Sequence, residues 1–204
     1  LWRDGDSVTL IDTGAPGSGN QILSAVPGID RIVLTHGHVD HTGSTAELRE
    51  STGAPVQAGA GDAAVIRGEA EMVPPVLQDT ERPILERLSA SLPDTAPPVP
   101  VDRELVDADV LDFGGGAEIL AIPGHTKGSI AIHLPRHGVL FTGDTGANVG
   151  AVMLGNFNQV RAQTVASLRR LAALGVETAR FGHGEPIGSG AGDRIREVAD
   201  QLSH

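Results

Sequence analysis

The chain has 204 residues, with 15 Lys and Arg against 26 Asp and Glu, a formal charge of −11, and neither cysteine nor tyrosine. That length suits one folded domain, residues 1–204, with a sizeable core. The acidity argues against a broad nucleic-acid surface, which needs clustered cations. The missing cysteines exclude disulfides, thiolate nucleophiles and sulfur ligands. No apolar run approaches the ~20 residues that span a membrane, so a soluble, cytoplasmic protein is expected. The chain begins at Leu1 rather than Met, which leaves export open.

Leu1-Trp2 and Val8 to Ile11, joined through Asp4-Gly5, predict a hairpin. Asp12-Thr13-Gly14 ends its second strand. Arg31 to Leu34 is a short β-branched run that reads as a buried strand. Directly after it comes Thr35-His36-Gly37-His38-Val39-Asp40-His41. Ser44-Thr45-Ala46-Glu47 then has the capping-box pattern of a helix start. The histidines therefore sit in a strand-to-helix loop. Residues two apart in an extended loop project to the same side, so His36 and His38 can grip one metal ion. Asp40 and His41 fall where the chain turns into the helix and point elsewhere, as a second ion would require.

The variable segment 56–100 holds two candidate helices, Asp62 to Arg67 ended by Gly68, and Thr80 to Leu92 with Ile84, Leu85, Leu88 and Leu92 on one face. Pro74-Pro75, Pro93 and Pro97-Pro98 bracket the second. Two readings stand: a surface excursion that buries its leucines in the core, or a lid lined by Met72, Val76, Leu77, Ile84, Leu85 and Leu88. In the lid reading, Met72, Leu85 and Leu88 contact substrate.

Strands are expected at Val110 to Phe113, Glu118 to Ile122, Ser129 to Leu134, Val139 to Phe141 and Ala179 to Phe181. Alternation puts Ile130, Ile132 and Leu134 on one face and His133 on the other. Helices are expected at Asn158 to Leu174, stopped by Gly175, and at Arg194 to Leu202. His125, Asp144 and His183 each follow an apolar strand-like run beside a glycine, which is how a sheet edge assembles a metal site. His133 and His137 lack that context and read as solvated or structural.

With these motifs in place, the chain resembles the metallo-β-lactamase fold superfamily, whose signature is His-x-His-x-Asp-His followed by a His, an Asp and a His. The match runs from Asp12 to His183. The resemblance implies an α/β fold, an αββα four-layer sandwich with two sheets back to back and helices outside. It assigns His36, His38 and His125 to one ion, Asp40, His41 and His183 to the other, and Asp144 as the bridge. Two Zn²⁺ per chain are implied, with iron or manganese as alternatives. Asp12 braces the metal loop from behind the ligands, and Thr35, Gly37 and Thr42 shape it.

The implied activity is hydrolysis of a small ester, thioester or lactone by a metal-bridging hydroxide, with Asp40 orienting it and relaying a proton. Glyoxalase II relatives carry a helical C-terminal domain, and only 21 residues (204 − 183) follow His183, so that domain is expected to be absent. Lactonases of the best-known type use a tyrosine, which this chain lacks. Rival readings are a β-lactam hydrolase, a mononuclear iron enzyme like the persulfide dioxygenases, and a metal-binding module without turnover. The expected partner is a small acyl substrate, with neither nucleic acid nor membrane, and the sequence leaves the oligomeric state open.

Overall fold

The computed structural model describes residues 1–26 and 28–202. Its first half contains β1 (Trp2–Asp4), β2 (Ser7–Ile11), α1 (Gly19–Ala25), β3 (Arg31–Leu34), α2 (Val39–Thr42), α3 (Thr45–Thr52), β4 (Val56–Gly59), α4 (Ala63–Ile66), α5 (Arg82–Ser89) and β5 (Arg103–Leu105). The strands form one sheet in the order β1-β2-β3-β4-β5. The β1–β2 hairpin is antiparallel and the remaining neighbours are parallel.

The second half contains β6 (Val110–Leu111), β7 (Ala117–Ala121), β8 (Ile130–Leu134), β9 (Val139–Phe141), β10 (Gly146–Asn148), β11 (Val152–Leu154), α6 (Arg161–Ala172), β12 (Thr178–Arg180) and α7 (Ala191–Gln201). A second sheet has the order β12-β9-β8-β7-β6, and β10 and β11 pair separately.

Successive side chains on a strand point to opposite faces, and this alternation builds the layers. Val33 meets Ile119, Ile130, Ile132, Leu134 and Phe141 in a core between the two sheets. Its neighbours Ile32 and Leu34 face the other way, onto Leu48 of α3 and Val26 after α1. Likewise Ala131 and Leu140 turn from the inter-sheet core onto Leu168 and Leu171 of α6 and Ile195 of α7. The order is helix, sheet, sheet, helix, as the resemblance implies. Each fully buried Leu or Ile contributes roughly 1.5–3 kcal/mol of transfer free energy.

Several local expectations are corrected. Ser44 caps nothing with its side chain. Its hydroxyl instead donates to Ala15 O (2.8 Å) and accepts from Ser18 N (2.9 Å), tying α3 to the loop before α1. The helix expected from Asn158 begins at Arg161, because Val160 has an extended φ of −137° and Asn158 is buried with its amide on Gly155 O. α7 begins at Ala191, three residues before Arg194. The helix expected over Thr80 to Leu92 shortens to α5 and buries none of its residues. Ile84 and Leu88 are 40% and 44% exposed, so the reading of this face as core is overturned. The outer faces of the sheets are already covered by α1 and α3 and by α6 and α7, and α5 joins none of the three apolar clusters. Residues 19–25, 56–59 and 103–105 carried no expectation and form α1, β4 and β5.

Candidate metal centre

β7 and β9 both run antiparallel to β8, and β12 runs parallel to β9, so all three end at the same edge of the second sheet. His125, Asp144 and His183 lie just beyond those ends. The parallel strands β2 and β3 bring Asp12 and the His36 loop to one edge of the first sheet. Ile130 N donates to Thr35 O (2.8 Å), which joins the two edges.

His38 Nδ1 lies 3.1 Å from His36 Nε2 and 3.0 Å from His125 Nε2. Two nitrogens bound at 2.0–2.1 Å to one tetrahedral ion stand roughly 3.3 Å apart. The surroundings dictate the tautomers. His125 Nδ1 faces the Asn156 carbonyl (3.0 Å) and therefore carries the proton. Thr35 Oγ1 donates to Asp12 Oδ2 (2.8 Å), which leaves it as acceptor for His36 Nδ1 (3.1 Å). His41 Nδ1 faces Asp12 Oδ2 at 2.8 Å. Each of these rings, when neutral, turns a bare Nε2 lone pair inward.

The second group is Asp40, His41 and His183, with Asp40 Oδ2 3.2 Å from His183 Nε2 and 3.8 Å from His41 Nε2. Asp144 touches both groups. Its Oδ1 lies 3.3 Å from His41 Nε2, and its Oδ2 lies 3.6 Å from His125 Nε2 and 3.2 Å from His183 Nε2. His41 Nε2 and Asp144 Oδ1 are buried without a hydrogen-bond partner. Buried polar atoms are normally satisfied, so inward-facing donors left open in this way fit a cation. The side chains His36, His38 and His125, then His36, His41 and Asp144, then Asp40, His41 and His183 each converge closely enough to hold an ion.

Electrostatics separates the two groups. Burial pushes His36 well below its usual value, lowers His38, and lowers His125 to about 4. Burial also opposes the charge on His41, but Asp144 and Asp12 outweigh it and hold that imidazole well above its usual range. Hydrogen bonds to Asp144 and Asp40 raise His183 to about 10. Asp144 sits well below the usual carboxylate range because His41 and His183 overcome its burial. Burial opposes the charge on Asp40 too, and the His183 hydrogen bond lowers it nonetheless. In the metal-free chain, three neutral imidazoles therefore adjoin two cationic ones paired with two carboxylates.

Asp12 has a left-handed φ of 56°, an uncommon and strained conformation for a residue other than glycine. It is held by Asp12 N to Val33 O (3.0 Å) and by its carboxylate, which accepts from Thr35 N, Thr35 Oγ1 and His41. Gly182 lies so close that a Cβ there would stand 1.8 Å from Asp144 Oδ1. Met72 reaches the loop, since a Cβ on Gly37 would meet its terminal methyl at 2.8 Å. Leu85 instead lines a groove of about 390 Å³ along α5, with Leu77, Arg82, Glu86 and Ser89, and Leu88 is exposed. His133 pairs with Glu118 at 3.1 Å and His137 packs near the Trp2 ring, both apart from the clusters. Sequence reasoning missed Asp62, which it took as a helix start. That residue is buried, and its carboxylate binds Gly37 N, Thr126 Oγ1 and Gly128 N. It lies three residues beyond β4, a strand the sequence did not announce, so only its place before a short apolar run drew notice.

A two-sheet sandwich with a histidine–aspartate cluster at one edge is the architecture of the metallo-β-lactamase fold. The sequence profile of the Metallo-beta-lactamase superfamily matches residues 1–183, and the chain belongs to that family. A hydroxyacylglutathione hydrolase of Cereibacter sphaeroides (strain ATCC 17029 / ATH 2.4.9) is 32% identical over 151 residues, 74% of this chain and 46% of the relative. The chain thus spans about half the length of that relative. The probable metallo-hydrolase YflN of Bacillus subtilis (strain 168) is 26% identical over 220 residues, 97% of this chain and 83% of the relative. Among solved structures, TTHA1623 in a di-iron-bound form superposes with a TM-score of 0.64 at 28% identity, covering 86% of this chain and 81% of that one. No helix among the described residues is long and apolar enough to cross a membrane.

Proposed function

We propose that the seven converging side chains hold two metal ions and that the chain hydrolyses a small acyl substrate, a thioester before an ester or lactone. The observation that carries this reading is Asp144, whose two oxygens contact both histidine groups. The resemblance to a hydroxyacylglutathione hydrolase favours the thioester. A donor set of imidazole and carboxylate alone suits Zn²⁺ and also accepts iron.

When bound, the ions supply a Lewis acid and a water that ionises near neutral pH. His36, His38 and His125 would contribute neutral donors, as would His41 and His183 once they release their protons, while Asp40 and Asp144 would contribute the negative charge that lets two cations stand close together. Asp40 is the carboxylate on the open side, next to the half-exposed His183. As a carboxylate it would be ionised at neutral pH, so it would orient the attacking water, take its proton and return it to the departing thiol or alcohol. Water adds its oxygen to the acyl carbon, the bond to sulfur or oxygen breaks, and an acid and a thiol or alcohol leave. Met72 gives the entrance an apolar wall beside Gly37. The charge of −11 disfavours a polyanionic phosphodiester.

Elemental analysis together with a panel of thioesters, lactones, β-lactams and bis-p-nitrophenyl phosphate tests the proposal. Zinc or iron near two per chain, with thioester or lactone turnover that a chelator abolishes, is the expected result. A single bound iron with oxygen consumption, or phosphodiester turnover without acyl turnover, overturns it.

A further inference from the structure

Asp62 stands at the N-cap position of α4, yet its side chain caps nothing. The carboxylate turns away from the helix into the space between two metal-ligand loops. Its Oδ2 accepts from Gly37 N (2.9 Å) and from Thr126 Oγ1 (2.6 Å), and its Oδ1 accepts from Gly128 N (2.7 Å). Gly37 lies between His36 and His38, and Thr126 follows His125. Asp62 is 2% exposed, and burying a carboxylate is costly unless several donors satisfy it. The fit is close, since a Cβ on Gly128 would stand 2.1 Å from Asp62 N. Thr126 is fixed in turn by Ser129, whose hydroxyl lies 2.7 Å from its own.

Asp12 and Asp62 divide the labour. Asp12 touches His36 through Thr35 and touches His41 directly. Asp62 touches no histidine. It joins the backbone of the loop carrying His36 and His38 to the loop carrying His125. The three histidines come from segments 87 residues apart in sequence, and Asp62 accepts hydrogen bonds from both.

We propose that Asp62 is a positioning residue that sets the spacing of these two loops, and so the metal affinity of the His36–His38–His125 group, without contacting the ion. The inference rests on the metal-binding reading above. Groups that orient ligands from behind typically change affinity 10- to 100-fold when lost.

The test titrates Co²⁺ into the metal-free protein and follows its visible bands, with His125→Ala and His183→Ala identifying which band belongs to which group. Asp62→Asn keeps the shape but has one acceptor oxygen, so its amide nitrogen must face an N–H or hydroxyl donor. Thr126→Val removes a single arm of the strut. Both should weaken Co²⁺ at the three-histidine group by about 10- to 100-fold, with the Asp40–His41–His183 group changed by only a few fold. Thr126→Ser should restore wild-type binding. Equal weakening of both groups alongside a lower melting temperature of the metal-free protein means a general structural role and overturns the proposal. Unchanged affinity in both Asp62→Asn and Thr126→Val, with a wild type that binds two ions, overturns it alone. A wild type that binds no Co²⁺ overturns the metal reading and this inference together.

Discussion

Asp144 Oδ1 lies 3.3 Å from His41 Nε2, and both atoms are buried without a hydrogen-bond partner. In the metal-free chain Asp144 helps keep His41 charged across this gap, and a metal ion would displace that proton and take its place. Asp144→Ala removes that carboxylate and the contacts its other oxygen makes to His125 and His183. Metal content should fall from about two ions per chain to about one, with most activity lost, as elemental analysis and thioester assays would report. Two retained ions at full activity would remove Asp144 from the bridge.

Asp40→Asn preserves shape while deleting the ionised carboxylate beside His183. Turnover, compared at saturating metal, should drop about 10²-fold or more, the usual scale for a general acid–base group, and the Asp40–His41–His183 group should hold its ion more weakly. Wild-type turnover in this variant would take Asp40 out of the proton path.

Metal uptake should be pH-dependent at one group and nearly flat at the other. His183, raised to about 10, and His41, also raised, are protonated at pH 7 in the metal-free chain. Binding there must displace those protons, so affinity rises with pH until His183 titrates. His125, lowered to about 4, is already neutral. Equilibrium dialysis should find one ion per chain at roughly pH 6 and two at roughly pH 8.5. Identical stoichiometry at both would contradict the electrostatics.

The same groups shape the stability of the metal-free protein. His183 has a folded pKa above its ordinary 6.5, so its stabilisation is full below 6.5 and disappears as pH rises through about 10. His125 has a folded pKa below 6.5, so its environment favours the fold above 6.5 and opposes it as pH falls toward 4. Thermal melts across pH should therefore decline on both sides of a maximum near 6.5, and added zinc should shift that profile.

Because α5 buries none of its residues, Leu88→Ala should change unfolding free energy by no more than about 0.5 kcal/mol. Leu48→Ala, at a fully buried position of α3, should cost about 2–5 kcal/mol. Urea denaturation of both variants makes the comparison. A large loss at Leu88 would return that face to the core.

The amino-acid sequence by itself determined what depends on neighbours along the chain. The period-two alternation in Ile130 to Leu134 placed three residues between the sheets and left His133 on the other face with Glu118. The spacing of His36, His38, Asp40 and His41, together with His125, Asp144 and His183 after their strands, marked the cluster that the structure assembles. Tertiary structure decided what depends on segments far apart. Ser44-x-x-Glu47 had the form of a capping box, but the Ser44 hydroxyl found stronger company in Ala15 and Ser18. The leucine face of residues 80–92 had core periodicity, but the sheet faces were already covered and it stayed at the surface. Asp62 read as a helix start because a local pattern records only where a carboxylate sits along the chain. Which buried donors it satisfies is set by the meeting of Gly37, Thr126 and Gly128, segments brought together only when the two sheets close.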